Sequence, residues 1–194
     1  MKRPAEIMSD DDVRQLLAQC SRRAPTGIRD RALITVLYRA GLRVGEALAL
    51  RQADLDAQHG AIRVLHGKGD KARTVGIGDG ALAVLQLWLD ARRDLGIRRT
   101  APLFCTLGGG PLSANQVRQM MKRRAARAGL DMRVHPHGLR HSHAFDLAVK
   151  RGVPAVVVQQ QLGHERLATT EIYLRHVAPE AVLAVGRSDN WTDE

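Results

Sequence analysis

Residues 61–77, AIRVLHGKGDKARTVGI, interrupt an otherwise helical chain. Ala61–His66 and Ala72–Ile77 are two short β-compatible runs, and Gly67-Lys68-Gly69-Asp70-Lys71 between them has the residues of a turn. The stretch predicts a hairpin with a flexible, basic tip. Outward from it, the apolar residues return to helical spacing. Upstream, Ser9 before Asp10-Asp11-Asp12 predicts an N-cap with acids in the first turn, opening a helix through Leu16 and Leu17. Ile28, Leu33, Ile34 and Leu37 predict a helix over 28–40 that stops at Gly41, and a shorter helix follows from about Arg43 to Leu50. Downstream, Leu82, Leu85, Trp88 and Leu89 mark a helix over 80–95. Leu103-Phe104-Cys105 is expected as a third strand before the Gly108-Gly109-Gly110-Pro111 turn. Ser113 with Gln116 is a capping box for a helix ending at Gly129. Further helices are expected over 137–151, from Pro154 at N1 to Gly163, and over about 167–176. The fold class is mainly α with a small antiparallel β-sheet, in one domain.

Composition narrows the function. The 194 residues carry 30 Lys+Arg against 20 Asp+Glu, a net charge of +10, which makes an anionic polymer the first partner to consider. No run of 18 apolar residues is present, so no membrane span is expected, and the N-terminus lacks the apolar core of a secretory signal. Cys20 and Cys105 are too few for a disulfide framework or a zinc ribbon. They read as small buried hydrophobes in a cytoplasmic protein. Two Trp, two Tyr and two Phe supply few stacking platforms, which favours a duplex held by its phosphates over single-strand recognition.

Polar residues with chemical potential cluster in four segments: GLRVGEALAL (41–50), HGKGDKARTV (66–75), HPHGLRHSHA (135–144) and LGHERLATTEIYLRHV (162–177). Arg43 and Glu46 are three residues apart in an apolar stretch, so partial burial of the pair is expected. A buried arginine is costly without an anion, and an external anion is a sensible second partner. His137 and Arg140 share that spacing on the face that carries His141. Together the pieces suit phosphoryl transfer. Two guanidiniums fork onto the non-bridging oxygens of a phosphodiester. A hairpin lysine reaches the leaving oxygen, and histidines supply general base and hydrogen-bond functions. Of the two tyrosines, only Tyr173 sits beside the histidine segments; Tyr38 does not.

In family order and with family-like spacing, these segments resemble the signature segments of tyrosine recombinases, the phage integrase family. The resemblance runs from Gly41 to Val177. It implies a tyrosine-recombinase catalytic-domain fold. It also implies Arg43 as the first catalytic arginine, with Glu46 as its supporting acid. Lys68 is implied as general acid toward the departing 5′-oxygen, and His137 and Arg140 as the central pair. His164 would donate a hydrogen bond to the scissile phosphate, and Tyr173 would be the nucleophile. Family members break one DNA strand through a 3′-phosphotyrosyl bond, which a 5′-hydroxyl from another duplex then reverses. Neither metal nor ATP is implied, since the bond energy stays in the covalent intermediate. Double-stranded DNA is the implied partner, with a homo-tetramer as the working assembly and no small-molecule substrate.

Plainer readings stand beside these. Lys71 is the understudy to Lys68 on the hairpin tip, and with Arg73 it is a candidate DNA contact. The basic helix bearing Arg118, Lys122, Arg123, Arg124 and Arg127 is either a solvated face or, given the charge, part of the DNA-facing surface; Arg118, Lys122 and Arg123 are its candidate contacts. His143 is expected as a packing or surface histidine. A metal site built from His135, His137, His141 and His143 is set aside, because Arg140 in their midst disfavours a cation. A type IB topoisomerase-like enzyme and a non-catalytic DNA-binding protein of the same fold remain the rival functions.

The chain also departs from the family pattern. Relatives clamp DNA between this domain and a separate N-terminal helical domain. Here the 40 residues before Gly41 already read as catalytic-domain helices. The expectation is therefore a catalytic domain over 1–177, no N-terminal core-binding domain in this chain, and a C-terminal tail over 178–194. The apolar Val182, Leu183 and Val185 suit a helix in that tail that docks in trans.

Overall fold

The structure, a computed structural model, describes residues 7–65 and 72–163. Helices α1 (Asp10–Ala18), α2 (Pro25–Arg39) and α3 (Val44–Ala49) come first. A 3-10 turn at Gln52–Asp54 leads into a sheet of β1 (Leu55–Asp56), β2 (Ala61–Val64) and β3 (Arg73–Gly76). Then follow α4 (Asp79–Asp94), α5 (Ala114–Arg127), α6 (Pro136–Phe145), a π-helical turn at Asp146–Lys150, and α7 (Ala155–Leu162).

The predicted starts rest on caps that the sequence announces. Ser9 Oγ accepts from the Asp12 amide at 3.1 Å while the Asp12 carboxylate accepts from the Ser9 amide at 2.8 Å. Ser113 and Gln116 repeat the arrangement at α5. Each such cap is worth about 1 kcal/mol. Helix α2 is the core helix: Ala32, Leu33, Ile34, Val36 and Leu37 are fully buried, and it packs on α4 and on α6. Trp88 fills the space between α4 and the 102–105 segment and donates its indole N–H to the Leu103 carbonyl at 2.8 Å. Cys20 and Cys105 are both buried.

The hairpin forms as expected, with Ile62 opposite Val75 and Val64 opposite Arg73 in an antiparallel pair. The third strand does not. Leu103–Cys105 makes only isolated bridges, Arg51 with Pro102 and Cys105 with Pro111, and the sheet's third member is β1 on the other side of β2. Two residues of strand are too short to leave a periodic signal. Two further boundaries shift: the helix expected over 137–151 is α-helical to Phe145 and then widens into the π turn, and Pro154 is the N-cap of α7, not N1. The helix expected over 167–176 and the tail over 178–194 lie outside the described residues.

Candidate active site

Two chain reversals, at the ends of α2 and α7, meet against the middle of α6. Gly41 follows α2 with φ 64, and a Cβ there would come within 2.4 Å of the His143 ring. Gly163 closes α7 with φ 65. Left-handed backbone with no room for a side chain makes glycine the residue for both turns.

Arg140 ties these reversals together. Its Nη1 donates to the Gly41 carbonyl at 2.6 Å and its Nη2 to the Leu162 carbonyl at 2.5 Å, with 3% of the residue exposed. Arg43 reaches the next carbonyl along: its Nη2 donates to Gly163 at 3.3 Å. Two guanidiniums from distant segments thus grip consecutive carbonyls immediately before His164.

Glu46 anchors the Arg43 side. Its carboxylate accepts from the Arg43 amide and Nη1 at 2.8 and 2.7 Å, and from both terminal nitrogens of Arg73 at 2.9 and 2.8 Å. The expected burial of the pair is present: Glu46 is buried, and the Arg43 side chain is 31% exposed. Burial alone would raise the Glu46 carboxyl, but the bonds from Arg73 and Arg43 outweigh it and hold its pKa down at about 2. The acid is ionised throughout the physiological range.

The histidines sort by environment. His137 is exposed, its ring 4.0 Å from that of His141 and 6.4 Å from that of His135. Desolvation, then the nearby charges of Arg140, His135 and Arg43, lower the His137 pKa. Burial and His137 push His141 down to about 4. Both rings are neutral at pH 7, and His137 is a ready proton acceptor. His135 Nδ1 accepts from the Gly138 amide at 3.1 Å as the cap of α6. His143 is the packing histidine: it is buried against Gly41, its Nε2 has no hydrogen-bond partner among the described residues, and burial with Arg151, Arg140 and Arg39 brings its pKa to about 3. Tyr38 is occupied elsewhere, donating to Asp10 at 2.6 Å from a buried position.

The structure therefore brings Arg43, Glu46, His137 and Arg140 together. Lys68, Lys71, His164 and Tyr173 lie outside the described residues. Arg118, Lys122 and Arg123 are on the exposed side of α5, whereas Arg124 turns inward to Asp30 and the Gln19 carbonyl. Arg73, grouped with possible DNA contacts from the sequence, is likewise turned inward, with 13% of its side chain exposed. The signal for that was the strand period. Arg73 shares a face with Val75 and Ile77, both buried. Gln161 was also missed: its amide exchanges two hydrogen bonds with Gly76, at 3.0 and 3.1 Å, and docks α7 on β3. Among the described residues no group of three or more His, Cys, Asp or Glu is placed to hold a metal ion, and no helix is long and apolar enough to cross a membrane.

A sequence-family model described as the phage integrase family matches residues 6–180. The chain belongs to the phage integrase family. It is similar to the tyrosine recombinase XerC of Xanthomonas axonopodis pv. citri (strain 306), 42% identical over 172 residues that cover 89% of this chain and 54% of that protein. The fold is that of solved recombinases of the family. The XerA recombinase superposes with a TM-score of 0.80 at 29% identity, over 93% of this chain and 66% of the other. The XerH site-specific recombinase, in its post-cleavage complex with palindromic difH substrate, gives 0.77 at 28% identity, over 94% and 53%. This integrase-family chain spans about half the length of the curated relatives it matches.

Proposed function

We propose that the chain carries the strand-cleaving and rejoining chemistry of a site-specific DNA recombinase. The observation that supports this best is the pair of arginines, Arg43 and Arg140, converging on the carbonyls of Gly163 and Leu162 beside a neutral, exposed His137. Fixed cations at one point suit a phosphorane that gains negative charge, and removing one such donor typically costs ~10²–10³-fold in rate.

In this reading the Tyr173 hydroxyl attacks the scissile phosphorus and gives its proton to His137. The bond to the 5′-oxygen breaks as Lys68 protonates that oxygen, leaving a 3′-phosphotyrosyl enzyme and a free 5′-hydroxyl. Arg43 and Arg140 hold the non-bridging oxygens, with His164 as a further donor. A 5′-hydroxyl from a second duplex reverses the steps. One phosphoester replaces another at each stage, so the scheme calls on neither metal nor ATP, and exchange between two duplexes calls for a homo-tetramer on double-stranded DNA. The exposed Arg118, Lys122 and Arg123, with Lys71 on the hairpin tip, are proposed to follow the DNA backbone in the cytoplasm.

The test is covalent capture from sheared genomic DNA of the source organism, quenched in denaturant with chelator present. The expected result is protein-linked DNA enriched in one site and absent for Tyr173→Phe. Complete genomic fragments that yield no linked DNA, or linkage that persists in the Phe variant, contradict the reading.

A further inference from the structure

We propose that Arg73 is a positioning residue for strand cleavage: its guanidinium, forked on Glu46 and packed beneath Gly163, sets Arg43 and the turn before His164 in one geometry. The assignment rests on the strand-cleavage reading above. Arg73 supplies two of the four hydrogen bonds on Glu46, one to each carboxylate oxygen, and its Nε points to the Gln161 carbonyl at 3.4 Å. A Cβ built on Gly163 would meet the Nε, Cδ and Cζ of Arg73 at 2.8–2.9 Å, so the guanidinium plane is the floor of that turn. The same strand leads out of the hairpin tip that carries Lys68, five residues earlier. One side chain therefore touches the supports of two separate parts of the site, Glu46 beneath Arg43 and the turn at Gly163.

Charge gives the arrangement its use. An isolated Arg43–Glu46 pair is neutral and has little pull on a phosphate. With Arg73 sharing the carboxylate, two guanidiniums face one acid, and the cluster keeps one net positive charge toward Arg43, its more exposed end. A lysine at position 73 keeps the charge but cannot fork onto both oxygens.

The experiment compares wild type, Arg73→Ala and Arg73→Lys on the genomic fragment that wild type captures. It measures single-turnover adduct formation at saturating protein from pH 5 to 9, DNA affinity, and folding by circular dichroism. A misplaced catalytic group costs about 10²-fold, so Arg73→Ala is expected to form adduct roughly 10–100-fold more slowly with affinity within about threefold. Arg73→Lys recovers only part of the rate. The Ala variant also loses activity at acid pH more steeply than wild type, whose own acid loss comes from protonation of His137. Among the described residues Glu46 is then left buried with Arg43 as its one ion-pair partner, while Arg51 and Asp54 line with it the small cavity alongside. Its carboxyl rises, and the acid protonates as pH falls. Combining Arg73→Ala with Glu46→Gln should be no slower than the slower single variant.

A wild-type rate for Arg73→Ala, or a loss of affinity that accounts for its whole loss of rate, overturns the assignment. If the Ala variant does not fold, Arg73→Lys decides: a rate equal to wild type across the pH range overturns it. Wild type that forms no adduct with any genomic fragment overturns the strand-cleavage reading itself, and this assignment with it.

Discussion

Asp30 and Glu46 are buried carboxylates each gripped by two arginines, and they serve different ends. Asp30 in α2 binds Arg29 at 2.7 Å and also Arg124 of α5, which reaches on to the Gln19 carbonyl. Glu46 in α3 binds Arg43 and Arg73. The charge pattern is the same: two guanidiniums and one acid. Exposure separates them. Arg29 and Arg124 are 14% and 13% exposed and are spent on internal acceptors, so their cluster ties α1, α2 and α5 together. Arg43 keeps about a third of its side chain open beside His137 and the carbonyls preceding His164. An ion cluster becomes a candidate site when one member retains an open face next to groups that can transfer protons.

That contrast breaks most sharply at Arg43. Arg43→Lys should slow adduct formation by about 10²–10³-fold, with the unfolding midpoint nearly unchanged, since Glu46 keeps its partnership with Arg73. A variant that loses stability in step with rate would erase the distinction. Asp30→Asn should do the opposite. Removing the charge between two buried guanidiniums costs about 3–5 kcal/mol in denaturant unfolding, while adduct formation per folded molecule stays at the wild-type rate. A slowed reaction in fully folded Asp30→Asn protein would show that the two clusters are not separate.

A third, smaller effect comes from His143, which sits behind the site and takes no part in it. Its pKa is about 3 in the fold against an ordinary 6.5, chiefly through burial. As pH falls, the unfolded chain takes up the proton first, so the fold loses stability progressively from about pH 6.5 toward 3. His137 and His141, also lowered, add to the loss in this window, while the depressed carboxyls of Asp10 and Glu46, each at about 2 against ordinary values of 3.8 and 4.5, add theirs only below about pH 4.5. His143→Leu should make the fall in thermal midpoint between pH 6.5 and 4.5 shallower. An unchanged slope would mean that this ring is not the buried base described.

Most of the fold was legible because its signals are local. Ser9-x-x-Asp12 and Ser113-x-x-Gln116 announce helix starts through bonds three residues long, and the hairpin follows from two runs flanking glycines. Strand β1 was not legible, because two residues carry no period and its pairing with Ile62 and Ala61 is set by tertiary packing. The candidate residues Arg43, Glu46, His137 and Arg140 were singled out by spacing and by the family resemblance, and the structure brings the four together. The inward arginines were not legible as such. Arg92 is almost wholly buried, donating to the carbonyls of Pro102, Leu103 and Arg98 from the last turn of α4. Arg124 stands among arginines that do face solvent. A guanidinium satisfied by carbonyls far along the chain leaves no trace in local sequence, because its partners are backbone atoms. Arg73 was read from the sequence as a DNA contact as well, although its alternation with Val75 is a local signal for the inner face.

The most direct test of the whole account is to identify the bond in the captured adduct. After nuclease and trypsin digestion, mass spectrometry should find a nucleotide 3′-phosphate on the peptide Leu167–Arg175, at Tyr173, and the severed strand should end in a 5′-hydroxyl that polynucleotide kinase labels without prior phosphatase treatment. Attachment at Tyr38 or at a serine, or a 5′-phosphate on the released strand, would contradict the mechanism at its centre.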